Sequence, residues 1–359
     1  MPTEEQIRGA LSQVMDPDLG RNIVELGMVR DIRVEDKGVT FSLALTTLAC
    51  PLKDRLVAEA RAAVQGLEPG LHVDIRLAEM SDEDRQRLFG AREAGPTPAQ
   101  QLSDVRRIVA VMSGKGGVGK SSIAAMLAVA FRRQGRNVGL LDADVTGPSI
   151  PKMFGLHQAP SMGPVGILPV ESRTGIKVMS INLLLSSEDE AVIWRGPLIS
   201  GAIRQFWSEV MWGDLDILIL DLPPGTSDAA LTVMQSIPLN GVVMVTSPQD
   251  LAGMVVRKAA HLVEELHVPI IGLIENMSYV LCPDCARKVQ VFGPSQAGET
   301  AARLGISLLG SLPLDPELAQ RADAGQIEDY PAEAFAPLAD AVWERIPAVQ
   351  CKPMFGGVG

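Results

Sequence analysis

The stretch Gly114-Lys115-Gly116-Gly117-Val118-Gly119-Lys120-Ser121 decides the fold of this chain. It fits the pattern G-x-x-x-x-G-K-[ST], in which backbone N–H groups surround phosphates, the lysine reaches the terminal phosphates and the hydroxyl binds Mg²⁺. The apolar run Ile108–Met112 before it predicts a buried strand, and Ser122–Arg133 after it predicts a helix whose N-terminus faces the phosphates. Gly114–Ser121 is therefore predicted to be a phosphate-binding loop, here called the P-loop.

Short apolar runs alternate with longer segments from the P-loop onward. The intervening segments are long enough for helical crossovers, which predicts a doubly wound α/β domain with a mainly parallel sheet covered on both faces. The predicted strands are Ile108–Met112, Val138–Leu141, Lys177–Ile181, Ile217–Leu220, Gly241–Thr246, Ile270–Ile274 and Ser307–Leu309, and the C-terminal helix is predicted around Ala332–Ile346.

A small α+β unit is predicted before the P-loop domain. Ala91–Gln101 contains two prolines and a glycine and shows no apolar periodicity, which is typical of a linker. We therefore predict an α+β domain over 1–90, a linker over 91–102, a P-loop domain over 103–346 and a flexible tail over 347–359. The predicted elements of the small domain are a helix at Glu4–Met15, strands at Met28–Val34 and Val39–Thr47, a helix at Leu52–Gln65 and a strand at His72–Leu77.

Composition limits the partners and the compartment. The 359 residues include 32 basic and 43 acidic side chains, and this net charge of -11 opposes binding to a nucleic-acid backbone. No apolar run approaches the length that spans a bilayer, and Met1–Glu5 lacks the basic start of a signal peptide. The four cysteines, two of them close together, favour a reducing compartment. We expect a cytoplasmic protein with neither a nucleic-acid nor a membrane partner.

Carboxylates follow two of the predicted strands. In doubly wound sheets, ligands bind at the carboxyl ends of the strands, so Asp142, Asp144 and Asp221 are predicted beside the phosphates. Asp221 suits a role in holding Mg²⁺ through water, and Asp144 suits orientation or deprotonation of the attacking water. The alternative for Asp142 or Asp144 is that it caps the turn before Thr146-Gly147-Pro148.

Lys115 is unusual for a P-loop because Lys120 already serves the phosphates of this loop. A second lysine there suits neutralisation of charge on a transferring phosphoryl group. If Lys115 reaches a nucleotide held by a second copy of the chain, it resembles an arginine finger supplied in trans and implies a face-to-face homodimer. The alternative is a solvated loop lysine.

The two lysines and several other motifs mark a resemblance to a known family. Lys115 with Lys120 is similar to the deviant P-loop of ATPases related to MinD and ParA, and the whole chain resembles their Mrp/ApbC branch, the iron–sulfur cluster carrier ATPases. The N-terminal unit is similar to a MIP18-like domain. The motifs that carry the resemblance are Gly114–Ser121, Asp142–Ser149, Trp194–Pro197, Asp221–Thr226, Glu275–Ser278, Asp16–Asp18, Glu25–Val29 and Thr46–Pro51.

Cys282-Pro283-Asp284-Cys285 is the second candidate centre. A C-x-x-C turn directs two thiolates to one side, where they can bind a soft metal or a cluster. A [4Fe–4S] cluster or a structural zinc needs four ligands, and the chain has no second C-x-x-C. A two-fold dimer supplies the missing pair of thiolates. The incomplete cysteine site and Lys115 therefore both predict a two-fold dimer. A redox pair and a zinc ion between subunits are the alternatives.

The resemblance implies that Cys282 and Cys285 of two subunits bridge one [4Fe–4S] cluster and that the nucleotide is ATP. From the residues themselves, Mg²⁺ is predicted on Ser121, and Lys115, Lys120 and Asp144 are predicted to be catalytic. Asn276 is predicted to contact adenine, or else to be a strand-end turn residue. The full predicted nucleotide site is Gly114, Lys115, Gly116, Gly117, Val118, Gly119, Lys120, Ser121, Asp142, Asp221 and Asn276.

The predicted function is a homodimeric, slow, regulatory ATPase that carries a labile [4Fe–4S] cluster to apoproteins and meets the cluster assembly machinery. The N-terminal domain recruits a client or that machinery in this hypothesis. Cys50 either relays a cluster or is a small buried residue, and Cys351 is either an auxiliary ligand or without a role. The alternatives are a positioning or partition ATPase of the MinD/ParA kind, and an ATPase with a structural zinc across the dimer.

Overall fold

The structure is a computed structural model that describes residues 2–16, 21–35, 38–45, 53–68, 70–79, 97–145, 147–185, 196–331, 333 and 335–347. The chain divides into two compact units, Met1–Glu93 and Ala94–Gly359. Each unit has a hydrophobic core of its own. The predictions for Cys50 and Cys351 lie outside the described residues, as do those for Trp194, Arg195 and the tail beyond 347.

The first unit is a small α+β fold. Its three-stranded sheet has the order β3-β4-β5, antiparallel between β3 and β4 and parallel between β4 and β5. Val39, Phe41 and Leu43 are buried, which is the alternation expected of a strand with one face on the core. The elements are α1 Glu4–Leu11, β1 Met15–Asp16, β2 Arg21–Asn22, β3 Val29–Glu35, β4 Gly38–Leu45, α2 Lys53–Gln65 and β5 His72–Glu79.

The first predicted helix is shorter than expected. It begins after Thr3, whose side chain forms a capping box with Gln6, and it ends at Leu11. The backbone of Val14 accepts a hydrogen bond from Ile23 at 3.0 Å, and Met15 pairs with Asn22. Pairing of the chain after Ser12 with residues 21–23 therefore replaces the last helical turn that the apolar spacing predicted.

The second unit has the predicted doubly wound architecture. Its nine-stranded sheet has the order β11 (Val170–Glu171), β12 (Lys177–Ser180), β8 (Val138–Asp142), β14 (Ile217–Asp221), β7 (Ile108–Ser113), β15 (Gly241–Thr246), β16 (Ile270–Leu281) and β17 (Lys288–Val289), with β18 (Leu308–Pro313) also beside β16. All neighbours are parallel except the pairs β11–β12 and β16–β17. Two apolar cores lie on opposite faces of this sheet, since consecutive residues of β7 alternate between them. The predicted fold class is confirmed.

The strands and helices of the second unit have the following bounds. The strands are β6 Asp104–Val105, β7 Ile108–Ser113, β8 Val138–Asp142, β9 Ser161–Met162, β10 Ile167–Leu168, β11 Val170–Glu171, β12 Lys177–Ser180, β13 Asp214–Leu215, β14 Ile217–Asp221, β15 Gly241–Thr246, β16 Ile270–Leu281, β17 Lys288–Val289 and β18 Leu308–Pro313. The helices are α3 Pro98–Gln101, α4 Lys120–Arg133, α5 Ile150–Met153, α6 Gly196–Ser208, α7 Asp228–Ser236, α8 Asp250–Glu265, α9 Ala297–Leu304, α10 Pro316–Asp323 and α11 Ala336–Arg345.

Several predicted boundaries differ from the structure. Part of the predicted linker forms α3, because Thr97 caps it in a capping box with Gln100 and Ala99 is buried. The C-terminal helix, expected over Ala332–Ile346, begins at Ala336, since Pro337 fits only the first turn of a helix. Strand β16, expected to end at Ile274, continues to Leu281. Within the described part of the chain, no helix is long and apolar enough to cross a bilayer.

Candidate functional site

The register of the sheet brings the predicted site residues to one edge. Asp142 at the end of β8 lies opposite Asp221 at the end of β14, and β14 pairs with β7, which leads into the P-loop. On the other side of β7, β15 is followed by β16, where Thr246 lies opposite Glu275. The P-loop therefore has two aspartates on one side and Glu275-Asn276 on the other.

The P-loop has the conformation of an anion-binding turn. Gly117 and Gly119 have φ values of 79° and 78°, and Gly116 and Gly117 are exposed while Val118 is buried. Helix α4 begins directly after Gly119, at Lys120, so its free N–H groups face the loop. A Cβ on Gly114 would lie 2.6 Å from the backbone carbon of Val255, so the loop also packs tightly against α8.

Lys120 and Asp221 form a buried ion pair, with side chains 6% and 0% exposed. Lys120 Nζ also lies 3.2 Å from the hydroxyl of Ser121. Among the described residues, Oδ2 of Asp221 is one of two buried side-chain polar atoms without a hydrogen-bond partner. Burial raises the pKa of Asp221, although the charge of Lys120 acts in the opposite direction. A hydrogen bond with Ser121 also lowers the pKa of this carboxyl group, but within the described part of the chain its Oδ2 atom has no hydrogen-bond partner.

Asp142 is fully buried and accepts hydrogen bonds from several donors. Its Oδ2 accepts from the backbone N–H groups of Ser149 and Ile150 at 3.1 and 3.2 Å, and from the Ser180 hydroxyl at 3.2 Å. Burial, followed by repulsion from Asp221, raises the pKa of Asp142 to about 8. Asp142 therefore holds the start of α5 as well as lying beside Asp221.

Asp144 lies just past β8, as predicted. Its Oδ1 accepts a hydrogen bond from the N–H of Gly147 at 3.2 Å, and its own N–H donates to Oδ1 of Asp142 at 3.2 Å. This is the turn-capping arrangement that we considered as the alternative. The catalytic role of Asp144 stays a prediction.

Lys115 is half-buried, and its ammonium group donates to the side-chain oxygen of Gln249 at the start of α8. The Ser113 hydroxyl donates to the Lys115 carbonyl at 2.9 Å, which fixes the backbone at the base of the loop. Gly225, with φ of 78°, donates from its N–H to the carbonyl of Ser113 at 2.8 Å. The Asp221–Gly225 segment therefore contacts the same part of the loop as Lys115.

Asn276 contacts the P-loop itself. Its side chain is 5% exposed, and Nδ2 donates to the carbonyl of Val118 at 3.0 Å. Asn276 thus lies within strand β16. The alternative expectation placed it in a turn at the end of a strand. Its predicted contact with adenine stays a prediction.

Glu275, before Asn276, is a buried carboxylate surrounded by serine hydroxyls. Ser278 and Ser295 donate to it at 2.6 and 2.9 Å, and Ser311 lies at 3.5 Å. Sequence reasoning gave Glu275 no role and did not identify Gln249. A charged residue directly after an apolar run was the available signal for Glu275, whereas nothing in the sequence distinguishes Gln249 from a surface residue.

Cys282 and Cys285 lie in the turn of a hairpin between β16 and β17. The Cys282 N–H donates to the carbonyl of Arg287 at 3.0 Å, and the Ala286 N–H donates to the carbonyl of Cys282 at 2.8 Å. Hydrogen bonds from the backbone of Asp284, then from the backbone and thiol of Cys285, lower the pKa of the Cys282 thiol. A lowered pKa favours the thiolate, which is the form that binds metal.

The cysteine pair is exposed, and the described residues place no third candidate ligand beside it. Cys285 is exposed and Cys282 is half-buried, and both are free thiols. In the described part of the chain, no group of three or more histidine, cysteine, aspartate or glutamate side chains is placed to hold a metal ion. Exposed apolar side chains flank the pair; they are Leu281, Val289, Val291 and Phe292.

The doubly wound sheet, the P-loop and the carboxylates beside it define a P-loop nucleotide-binding protein. Residues 104–346 match the family described as NUBPL iron-transfer P-loop NTPase, and residues 4–75 match the family described as iron-sulfur cluster assembly protein. The chain belongs to the NUBPL-type iron-transfer P-loop NTPases, which confirms the resemblance drawn from its motifs.

Curated relatives resemble the chain over most of its length. An iron-sulfur cluster carrier protein of Synechocystis is 38% identical over 354 residues, which cover 96% of this chain and 97% of the relative. One from Methanocaldococcus jannaschii is 46% identical over 269 residues, covering 73% and 92%. A solved nucleotide-binding protein from Archaeoglobus fulgidus, in complex with ADP, is 44% identical with a TM-score of 0.58, covering 64% of this chain and 91% of that one.

Proposed function

We propose that the chain is an ATP-dependent carrier that binds a [4Fe–4S] cluster between the Cys282–Cys285 pairs of two copies and transfers it to apoproteins. The observation that carries this proposal is the exposed hairpin, whose two thiols are half of a four-ligand site in a chain of the iron-transfer NTPase family. The cluster is the cargo of the reaction. Two-fold pairing of hairpins supplies four thiolates, because each copy contributes the same residues.

The apolar side chains around the hairpin support a second copy as the partner. Any two-fold axis through a shared cluster passes close to residues next to Cys282 and Cys285 of both copies. Leu281 and Phe292 are 47% and 42% exposed in the single chain, and pairing would remove such side chains from water. The same pairing would also keep water from the thiolates.

ATP with Mg²⁺ fits the residues of the P-loop site. Oδ2 of Asp221 is a buried acceptor without a donor among the described residues, and a water on Mg²⁺ would satisfy it, with Ser121 as the second contact to the metal. Bound Mg²⁺ would supply charge neutralisation for the terminal phosphates. Lys120 would then leave Asp221 for the phosphates, and Lys115 would leave Gln249 for the nucleotide of the partner copy.

Anaerobic reconstitution tests the cluster site. The wild-type chain should gain absorption near about 400 nm together with iron and sulfide, and Cys282→Ser should lose all three. Cys50→Ser removes one thiol but leaves the pair intact, so it is the matched control that should retain the cluster. One zinc per dimer without iron or sulfide, in protein purified anaerobically, would instead favour a structural zinc site.

The match of residues 4–75 to an iron-sulfur cluster assembly family supports a recruiting role for the first unit. In this proposal, it binds the cluster assembly machinery or an apoprotein client while the P-loop unit holds the cluster. Exchange of residues 1–90 between two homologues, followed by transfer assays with both sets of clients, should change client preference. If the client preference is unaltered, the P-loop unit and not the first unit selects the client.

A further inference from the structure

Strand β16 joins the P-loop to the cysteine turn without an intervening loop. It pairs with β15 as far as Glu275, and with β17 at Val280 and Leu281. The Tyr279 carbonyl accepts from the N–H of Leu314 at 2.8 Å, so the strand is also held between these two regions. Continuous secondary-structure elements can carry energetic coupling between two sites, so a shift at one end of β16 can reach the other.

The contact at the P-loop end is close. A Cβ on Gly119 would lie 2.2 Å from Nδ2 of Asn276 and 3.4 Å from Cε of Met277. Nδ2 of Asn276 donates to the carbonyl of Val118, which is the oxygen of the peptide between Val118 and Gly119. Movement of that peptide would displace Asn276, because the two are in van der Waals contact.

That peptide also faces the phosphate site. In a planar trans peptide, the carbonyl and the N–H point in opposite directions, so the hydrogen bond on the Val118 oxygen fixes the direction of the Gly119 N–H. N–H groups of a P-loop bind phosphate. Phosphate on one side and Asn276 on the other therefore act on the same peptide and polarise it in the same sense.

The residues around Asn276 are fixed on one side and irregular on the other. Glu275 is held by hydroxyls from Ser278, Ser295 and Ser311, which lie on three different segments. Met277 has φ of 58°, and the register between β16 and β18 shifts between Glu275 and Tyr279. The strand thus changes direction at Met277, between an anchored residue and the hairpin.

We propose that the segment Glu275–Ser278 links the P-loop to the cysteine turn, so that phosphate binding changes the exposure of the thiols. Asn276 acts as a positioning residue, and Glu275 is the fixed point about which the strand moves. The inference rests on the proposed function in that Cys282 and Cys285 are taken as the metal-binding pair. It requires neither a bound cluster nor a dimer.

Alkylation of the metal-free, full-length protein tests the link. Rates of iodoacetamide modification at Cys282 and Cys285 are measured by mass spectrometry with and without saturating ADP, at concentrations where light scattering shows a monomer. ADP should change the rate about fivefold or more, within the range of ordinary coupling between sites. Asn276→Ala and Met277→Gly should remove most of this dependence, whereas Ser307→Ala, outside the Glu275 cluster, should keep it.

A separate measurement of ADP affinity shows that each variant is saturated. If Asn276→Ala does not bind ADP, Ser311→Ala replaces it, since Ser311 contacts Glu275 and not the P-loop. Hydrogen exchange at the amides of Cys282 and Ala286 gives a second readout of the turn. Rates unaffected by ADP in the wild type, or full dependence in the ADP-bound variants, would overturn the link.

The two proposals fail separately. If ADP changes the alkylation rates but the chain takes up no iron or sulfide, the proposed carrier function is wrong and the proposed link stands. If the chain takes up a cluster normally but the alkylation rates of its thiols do not depend on ADP, only the proposed link is wrong.

Discussion

At the base of the P-loop, Lys120 and Asp221 are removed from water together, with side chains 6% and 0% exposed. Removing one partner of such a pair leaves an uncompensated buried charge, whereas removing both does not. We expect Lys120→Met to lower the free energy of unfolding of the P-loop unit by about 3 kcal/mol, and Lys120→Met/Asp221→Asn to regain most of it.

Chemical denaturation of the nucleotide-free protein measures both effects. Arg303→Met is the control, because it breaks an exposed ion pair with Glu299 and should cost less than about 1 kcal/mol. Equal destabilisation of the single and double variants would mean that the pair itself, not the stranded carboxylate, matters. ATP hydrolysis should be lost in both, since Lys120 is absent from both.

Asp142 makes the stability of the nucleotide-free protein depend on pH. Its pKa is raised from the ordinary 3.8 to about 8, so between these values the folded protein retains a proton that the unfolded chain has released. Stability is therefore greatest at the acidic end of this window and falls as pH rises through it. Asp142→Asn should flatten that slope in denaturation curves between about pH 5 and pH 8.

Ser180→Ala serves as the comparison, because it removes one donor to Asp142 but leaves the carboxyl group. It should lower stability while preserving the slope. A slope unchanged in Asp142→Asn would assign the pH dependence to other groups, with Asp221 the first candidate because its pKa is also raised.

The sequence predicts which polar residues lie at the site. It predicts less well which atoms their side chains contact. Asp142 and Asp221 were found because parallel strands end at one edge of the sheet, which the apolar runs already reveal. The pairing of Lys120 with Asp221, and of Lys115 with Gln249, depends on side-chain positions in three dimensions. Periodicity carries no information about such contacts.

Within the P-loop element, Gly119 and Gly117 separate two effects of substitution. Both have positive φ, so a side chain strains the backbone at either position. Only at Gly119 would a Cβ also collide, at 2.2 Å from Nδ2 of Asn276, while nothing lies within 4 Å of a Cβ at Gly117. Gly119→Ala should therefore be more destabilising than Gly117→Ala in thermal unfolding of the nucleotide-free protein.

The difference between the two alanine variants should shrink in an Asn276→Ala background, because that substitution removes the colliding amide. The double-variant comparison isolates this contact from backbone strain. If Gly119→Ala and Gly117→Ala unfold at the same temperature, strain alone would account for both, and the contact with Asn276 would be looser than the structure shows.

Strand β16 shows why some element boundaries escape sequence reasoning. Polar residues at Glu275 and Asn276 end the apolar run, which predicts a strand end at Ile274. The strand continues because these side chains find partners, Glu275 among serines and Asn276 on the Val118 carbonyl. A strand ends where hydrogen-bonding partners are lacking, and partners from distant segments are not visible in the local pattern.

In the whole molecule, Lys115 and the cysteine pair are the two features that the proposed function assigns to a dimer. The side chain of Lys115 donates to Gln249, and Cys282 and Cys285 would be two of the four ligands of the proposed cluster site. A two-fold dimer would complete both at once. Because one symmetry operation would serve both sites in such a dimer, assembly at one site would constrain assembly at the other.

Mixing two inactive variants tests whether Lys115 acts in trans. Lys115→Ala keeps a P-loop with Lys120 but cannot assist its partner, whereas Lys120→Ala lacks its own phosphate lysine but still presents Lys115. In a mixed dimer, the Lys115→Ala subunit would receive Lys115 from the other copy. Equal mixing makes about half of all dimers mixed, each with one of two sites working, so ATPase activity should return to about a quarter of the wild-type value.

Each variant measured alone at the same total concentration should remain inactive. A mixture of Lys120→Ala with Lys115→Ala/Lys120→Ala should also be inactive, because no subunit in it has Lys120 in its P-loop. Lys115 acting within its own chain would give no recovery on mixing. If the Lys115→Ala variant hydrolyses ATP normally by itself, Lys115 is a solvated loop lysine without a catalytic role. Restored activity that requires the mixed dimer would instead establish the shared site, since neither chain alone contains both lysines.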